Sequence, residues 1–297
     1  MSAIPPSSGR RASPDASTPV YLSHYQATPL LRARKEGAGR ANTSVDLNLT
    51  MVVAALTADG VELHDGRFVP WSAIEEAEAN ENAVLRLANG VLAKVQAFSE
   101  LTGRVYTIYP TAGAPTMLVS GTPMHRIKGT NPYRDTLTKI KAIAPVSGTV
   151  LDTTTGLGYT ACQASRSASW VITIELDPAA LEVARLNPWS SELFDSRKIT
   201  QLIGDSAELV PAFAGESFDA IIHDPPQFAM AGELYSGELY RHLYRVLRPA
   251  GKLFHYMGDP ESRAGAATTR SATKRLQEAG FSRIIAHPEA FGVVAVK

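Results

Sequence analysis

The chain has 297 residues, 44% of them hydrophobic and 7% aromatic, enough apolar side chain for one large domain with an appendage or for two domains. Its 29 basic and 29 acidic residues cancel, so a strongly basic nucleic-acid binder is not indicated, although the balance still admits a local basic patch. The single cysteine, Cys162, excludes an internal disulfide and suits a reducing cytoplasm, and no apolar run approaches the ~20 residues that span a bilayer; a cytoplasmic protein with no membrane partner is expected.

The opening "MSAIPPSSGRRASPDASTP" lacks the apolar centre of a secretory signal, and its Pro, Ser, Ala and Arg content leads us to expect a disordered or extended tail over residues 1–43. The basic run "LLRARKEGAGR" in that tail reads as a solvated segment, with phosphate contact as the alternative. From about Ser44 the pattern becomes short strand-like runs such as "LTMVVAAL", "AVLRLANGVLAKVQ" and "GRVYTIYPT", broken by Asp-Gly and Asn-Gly hairpin signals. Between them "SAIEEAEANE" predicts one short helix with Ser72 as its cap and Glu75 three residues on. A small, mostly antiparallel β domain is expected over residues 44–128.

After "GTNPYRDTLTKIKAIAPVSG" the rhythm changes, and residues 129–297 alternate strand and helix. The strands are "TVLDTT", "WVITIEL", "ITQLIGD", "FDAIIHDPP" and "GKLFHYMG"; the helical runs between them include "PAALEVARLN" and "SGELYRHLYRVLRP". Such alternation predicts an α/β fold, a doubly wound and mostly parallel sheet with helices on both faces. "FSRIIAH" and "FGVVAVK" follow one another too closely for a helical crossover and should pair antiparallel.

Gly156-Leu157-Gly158-Tyr159-Thr160-Ala161 fits the G-x-G-x-x-[G/A] pattern between a strand and a helix. There the first glycine permits a tight turn and the second lets a ligand approach the backbone. Glu175 ends the next strand, where an acid can accept both ribose hydroxyls. Asp152 sits on the strand side of the glycines, where it would repel a pyrophosphate but suit an ammonium. Asp205 ends the third strand within reach of an adenine amino group, and "HDPPQF" opens onto the same sheet edge from the fourth. Seven histidines without H-x-x-x-H spacing or cysteine partners assign no metal. Cys162 and His223 are expected to be packing residues, the latter facing away from its neighbour Asp224.

The pieces "VLDTTTGLG", "ITIELDP", "IGDSAEL" and "FDAIIHDPPQF", with the C-terminal strand pair, resemble the class I S-adenosylmethionine-dependent methyltransferases over residues 150–297. Within that superfamily the chain is most similar to the predicted methyltransferases of archaeal genomes. These carry runs like "FSELTGRVYTIYPTAGAPTMLVSGTPMHR" and "AGELYSGELYRHLYRVLRP" and a small N-terminal domain. The resemblance implies a seven-stranded Rossmann-like sheet and S-adenosyl-L-methionine as cofactor. Its methionine part would lie on Asp152, Thr154, Gly156 and Gly158, its ribose on Glu175 beside Leu176, and its adenine on Asp205 and Ser206, with Asp224 at the reacting end. Asp224, Pro225 and Pro226 would face the acceptor as in amino-group methyltransferases, whose tetrapeptide ends in an aromatic where this chain has Gln227 followed by Phe228. Gln227, Phe228, Tyr235, His125 and Arg126 are the substrate-binding candidates. The acceptor, whether small molecule, RNA or protein, is left open, as is a homo-oligomer. Similarity to spermidine synthases keeps aminopropyl transfer as an alternative, and a non-catalytic binding module is a third.

Overall fold

The computed structural model describes residues 18–226 and 231–297, which divide into two compact units at Lys94/Val95. The sequence reading placed that boundary at 128/129; the strands between the two positions cluster with the C-terminal part.

The first unit holds β1 (Val20–Leu22), α1 (His24–Lys35), β2 (Arg40–Thr43), β3 (Val52–Leu56), β4 (Gly60–Glu62), β5 (Phe68–Pro70), α2 (Trp71–Ala79), β6 (Leu85–Ala88) and β7 (Val91–Lys94). They form two antiparallel sheets, β1-β6-β7 and β2-β3-β4-β5, packed around Leu22, Leu30, Trp71 and Ile74. Residues 20–43 are therefore structured, against the expected tail. Ser23 and Gln26 make a reciprocal capping box, which starts α1 despite the polar stretch before it. Ser72 is likewise not a cap. Helix α2 begins one residue earlier behind Pro70, and no side chain caps it.

The second unit opens with the antiparallel sheet of β8 (Gln96–Phe98), β9 (Val105–Tyr109), β10 (Thr116–Val119) and β11 (Thr122–Pro123), in the order β11-β10-β9-β8. Helix α3 (Pro132–Ile143) follows, capped by the Asn131 side chain with Pro132 at its first turn. Then come β12 (Thr149–Asp152), α4 (Tyr159–Ser165), β13 (Trp170–Glu175), α5 (Pro178–Arg185), α6 (Ser191–Asp195), β14 (Ile199–Ile203), α7 (Ser206–Ala212) and β15 (Phe218–His223). Last are α8 (Gly237–Val246), β16 (Leu247–Tyr256), α9 (Arg263–Glu278), β17 (Arg283–His287) and β18 (Gly292–Val296).

Seven strands form one sheet in the order β14-β13-β12-β15-β16-β18-β17. The first five run parallel, and β18 lies antiparallel between β16 and β17. The expected α/β sheet is thus present, with its antiparallel pair at one end. The central strands bury apolar runs, Val150-Leu151 of β12 and Ala220-Ile221-Ile222 of β15, and helices carry one apolar stripe. On α8 that stripe is Leu239, Tyr240, Leu243 and Val246, which pack with Leu151, Ile221 and Leu253 of the sheet. The chain steps outward from β12 to β13 and β14, then returns past β12 to β15. The crevice at the carboxyl ends of β12 and β15 is therefore the topological switch point, the place where open α/β sheets take their ligands.

Candidate active site

A cavity of about 760 Å³ opens at that crevice, inside the range of about 300–1,000 Å³ common for small-molecule sites. It runs along the carboxyl edge of the sheet. Asp205 and Ser206 reach it from β14, Glu175 to Asp177 from β13, Thr153 to Gly156 from β12, Asp224 to Pro226 from β15, and Tyr256 and Asp259 from β16. Met124, His125 and Arg126 line it from the segment after β11.

The turn after β12 is built by two glycines with left-handed backbone, Gly156 (φ 52°) and Gly158 (φ 73°). Their duties are the reverse of the sequence reading. Gly156 is the one that lines the cavity, and a Cβ there would meet only the tip of Met124 at 3.0 Å. Gly158 lies away from the lining, and its Cβ would come within 2.6 Å of the Leu193 side chain. It is the tight turn that lets α4 pack on α6.

Glu175 is fixed by local backbone. One oxygen accepts the Gly156 N–H at 2.8 Å and the other the Asp177 N–H at 3.1 Å. Burial raises its pKa above the usual carboxylate range, and the two amides oppose the rise. Each oxygen keeps a lone pair for a hydroxyl donor. Leu176, 45% exposed, offers an apolar surface beside it. Asp205 caps α7 through the Ala207 N–H at 2.7 Å, and the Ser206 hydroxyl donates to the Thr153 carbonyl, so both double as structural ties. Asp177 joins this end to the small sheet by accepting from Thr102 at 2.7 Å and Tyr106 at 2.8 Å.

Asp152 departs from its expected position. It is fully buried beneath the glycine turn, outside the cavity lining, with Oδ2 accepting from Thr160 at 3.0 Å and Thr173 at 3.2 Å. Among the described residues its Oδ1 has no hydrogen-bond partner, and burial pushes its pKa up to about 7.

At the other end, Asp224 faces the cavity from the end of β15. Its backbone carbonyl accepts from the Thr154 hydroxyl at 2.8 Å, and its Oδ2 pairs with Lys139 of α3 at 2.6 Å. Lys139 is 3% exposed and also bonds Asp135 at 2.9 Å; Asp135 in turn holds Arg126 at 3.1 Å. Burial alone would lower the Lys139 pKa, but Asp224 and Asp135 outweigh it and raise it. The Arg126 guanidinium carbon lies over the Phe291 ring, 3.5 Å from its centroid, and the side chain donates to the Glu289 carbonyl at 2.9 Å.

Tyr235 is buried and outside the lining; its hydroxyl donates to the Pro226 carbonyl at 3.0 Å, which engages one of the carbonyls expected to face the acceptor. His125 lines the cavity bonded to Thr116 at 3.0 Å, and burial drives its pKa down to about 3, so it is neutral. His223 is completely buried. Its Nε2–H donates to the Leu234 carbonyl at 2.8 Å, so Nδ1 accepts from Thr153 at 2.6 Å. Its pKa is lowered to about 4 by burial, which makes it a packed neutral histidine. Gln227 and Phe228 lie outside the described residues. Among the described residues no group of three His, Cys, Asp or Glu side chains could hold a metal, and no helix is long and apolar enough to cross a membrane.

The sequence reading missed Lys139 and Asp135. Their i,i+4 spacing after the Asn131-Pro132 helix start is visible, but the spacing alone does not tell a buried pair from an exposed one.

A family profile described as a methyltransferase domain matches residues 151–255, from β12 through most of β16. The uncharacterized protein MJ1233 of Methanocaldococcus jannaschii is 47% identical over 194 residues, which cover 65% of this chain and 67% of that protein. Polyamine aminopropyltransferase 2 of Streptomyces coelicolor is 32% identical over 108 residues, 34% of this chain but 20% of that longer protein. Among solved structures, a spermidine synthase in complex with the transition-state analogue AdoDATO matches with a TM-score of 0.56 at 20% identity, covering 69% of this chain and 75% of that one. At that identity the likeness is one of fold.

Proposed function

The chain belongs to the class I S-adenosylmethionine-dependent methyltransferase superfamily, in the group that includes MJ1233, and we propose that it methylates an amine nitrogen of its acceptor. The observation that carries this reading is a cavity with a carboxylate at each end of the switch point, Glu175 at the end of β13 and Asp224 just beyond β15. Glu175, Leu176, Asp205 and Ser206 would hold the nucleoside, and Thr154 and Gly156 the methionine part. The donor fits there because the Gly156 backbone is bare toward the cavity and Glu175 is already oriented by two amides. S-adenosylmethionine supplies an electrophilic methyl group when bound.

The rest is positioning and exclusion of water, because methyl transfer from a sulfonium needs an in-line approach and little acid–base work. Asp224 accepts a hydrogen bond from the acceptor nitrogen and so holds its lone pair in line with the methyl group. The bond from the Thr154 hydroxyl to the Asp224 backbone carbonyl ties the donor turn to the strand end that carries this carboxylate, so donor and acceptor groups keep one register. Neutral His125 and His223 offer no proton at working pH. The polyamine substrate in the name of the Streptomyces relative supports a nitrogen nucleophile.

The test has two arms. Calorimetry should show S-adenosylhomocysteine binding and no NAD binding. Tritium from methyl-labelled S-adenosylmethionine should then enter the RNA, protein or small-molecule fraction of a cell extract. NAD binding alone would overturn the cofactor; donor binding with no transfer to any fraction would favour a binding module. The aminopropyltransferase relative favours one second reading, aminopropyl transfer. It requires turnover with decarboxylated S-adenosylmethionine and release of methylthioadenosine.

A further inference from the structure

Asp224 is neutralised from behind. Lys139 lines no part of the cavity, yet its ammonium lies 2.6 Å from Asp224 Oδ2 and 2.9 Å from Asp135 Oδ2, buried on α3 over the ring of Tyr256 at 4.7 Å. Arg126 closes the chain on the far side of Asp135. Two cations and two anions thus alternate through Arg126, Asp135, Lys139 and Asp224, a set with no net charge. The other charges lining the cavity beyond β15 and β16, Glu233 and Asp259, are exposed and screened by water, as is Lys128.

We propose that Lys139 is a specificity-determining positioning residue, which cancels the charge of Asp224 so that the site takes a nitrogen that arrives uncharged, an aromatic or heteroaromatic amine, in place of an aliphatic ammonium. This rests on the methyl-transfer reading above. An aliphatic ammonium entering here would lose hydration and find the half-buried Asp224 carboxylate already paired with Lys139, so its desolvation goes uncompensated. A weakly basic amine brings no charge to desolvate. It donates one N–H to the Asp224 oxygen that Lys139 leaves free and keeps its lone pair available. In the transfer that lone pair forms the new C–N bond as the methyl C–S bond breaks with its electrons onto sulfur. S-adenosylhomocysteine is left, and one N–H proton passes to water.

The probes are putrescine, dicationic at pH 7.5, and aniline, neutral at that pH. With protein saturated in S-adenosylhomocysteine, calorimetry should detect no putrescine binding at millimolar concentration, and Lys139→Gln should show binding with a dissociation constant at least tenfold below that limit. Lys139→Arg, which restores the charge, should return it to the wild-type level. Micromolar putrescine binding by the wild type, or no gain in Lys139→Gln, overturns the proposal. Should Lys139→Gln fail to fold, the wild type decides alone with labelled donor: transfer to aniline at least tenfold above putrescine supports the assignment, and any other ratio sinks it. The S-adenosylhomocysteine titration separates the two readings. If it does not bind, methyl transfer itself fails; if it binds and putrescine binds as well, only the charge argument does.

Discussion

At the β13 end of the cavity, Glu175 is bonded to backbone amides two and nineteen residues away, whereas at the β15 end Asp224 is bonded to Lys139, 85 residues upstream. The first carboxylate is set by one turn and the strand next to it. The second is set by the packing of α3 against the sheet, with the Pro226 carbonyl two residues on bonded to the Tyr235 hydroxyl. The donor end is therefore local and the acceptor end is assembled at long range. That difference predicts which substitutions separate binding from turnover.

The largest effect should come from Asp224→Ala. Turnover of the responding fraction in the tritium assay should fall by roughly 10²–10³, the scale seen when one preorganised polar contact is removed. The dissociation constant for S-adenosylhomocysteine should stay within about threefold, because no part of the donor cradle depends on that side chain. Loss of donor affinity would move Asp224 into the donor site and erase the division between the two ends.

Asp152 lies beneath the turn that both ends share, and its effect is on stability. Its pKa in the fold is raised to about 7 by burial, against about 3.9 in an unfolded chain. A raised carboxylate contributes stability that is fully present below about pH 4 and is lost as pH rises toward and through 7. Asp152→Asn cannot ionise, so relative to wild type it should gain roughly a few kcal/mol between pH 4.5 and 8. Urea midpoints at the two pH values measure this. Parallel profiles for the two proteins would show that Asp152 titrates as an ordinary carboxylate.

The same local and long-range division explains what the sequence revealed. The strand–turn–helix pattern from Val150 to Ala161, with Glu175 at the next strand end, is contiguous enough to read directly, and the alternation after residue 149 implies the sheet. Gly156 and Gly158 could be found but not told apart, because the duty of each depends on Met124 and Leu193, which come from other segments. The pattern makes Asp152 a ligand candidate because its place there says nothing about which way its side chain faces. Lys139 and Asp135 were illegible for the same reason: a Lys-Asp pair on a helix acquires meaning only once the sheet that buries it is known. Residues 24–35 failed differently, since the flanking polar composition hid the Ser23–Gln26 capping box.

A smaller loss is expected at the donor end. Glu175→Ala should weaken S-adenosylhomocysteine binding by about 1–3 kcal/mol, the usual cost of removing hydrogen bonds to a charged group. The same substitution releases the Gly156 amide, so part of the loss is preorganisation of the turn. Calorimetry gives the value directly. Unchanged affinity would place the ribose elsewhere and leave the β13 end without its anchor.

The smallest effect tests the weakest link of the acceptor end. The Tyr235 hydroxyl donates to the Pro226 carbonyl at 3.0 Å, while its ring packs beside His255 at a centroid distance of 5.1 Å. Tyr235→Phe keeps the ring and its packing and deletes only the donor. The Pro226 carbonyl is one residue beyond Pro225 and two beyond Asp224, so freeing it loosens the segment that orients the acceptor without exposing a new cavity. The deleted bond is worth about 0.5–1.5 kcal/mol net, which corresponds to roughly a two- to twelvefold fall in turnover if all of it is expressed in positioning. Donor affinity should not change, because Tyr235 lies outside the cavity lining and touches neither Gly156 nor Glu175 through that bond. Measuring turnover, donor affinity and urea stability together separates the outcomes. A loss confined to turnover supports long-range assembly of the acceptor end. If the loss appears only in the urea midpoint, Tyr235 is a core residue and Asp224 is held by Lys139 and Thr154 without its help.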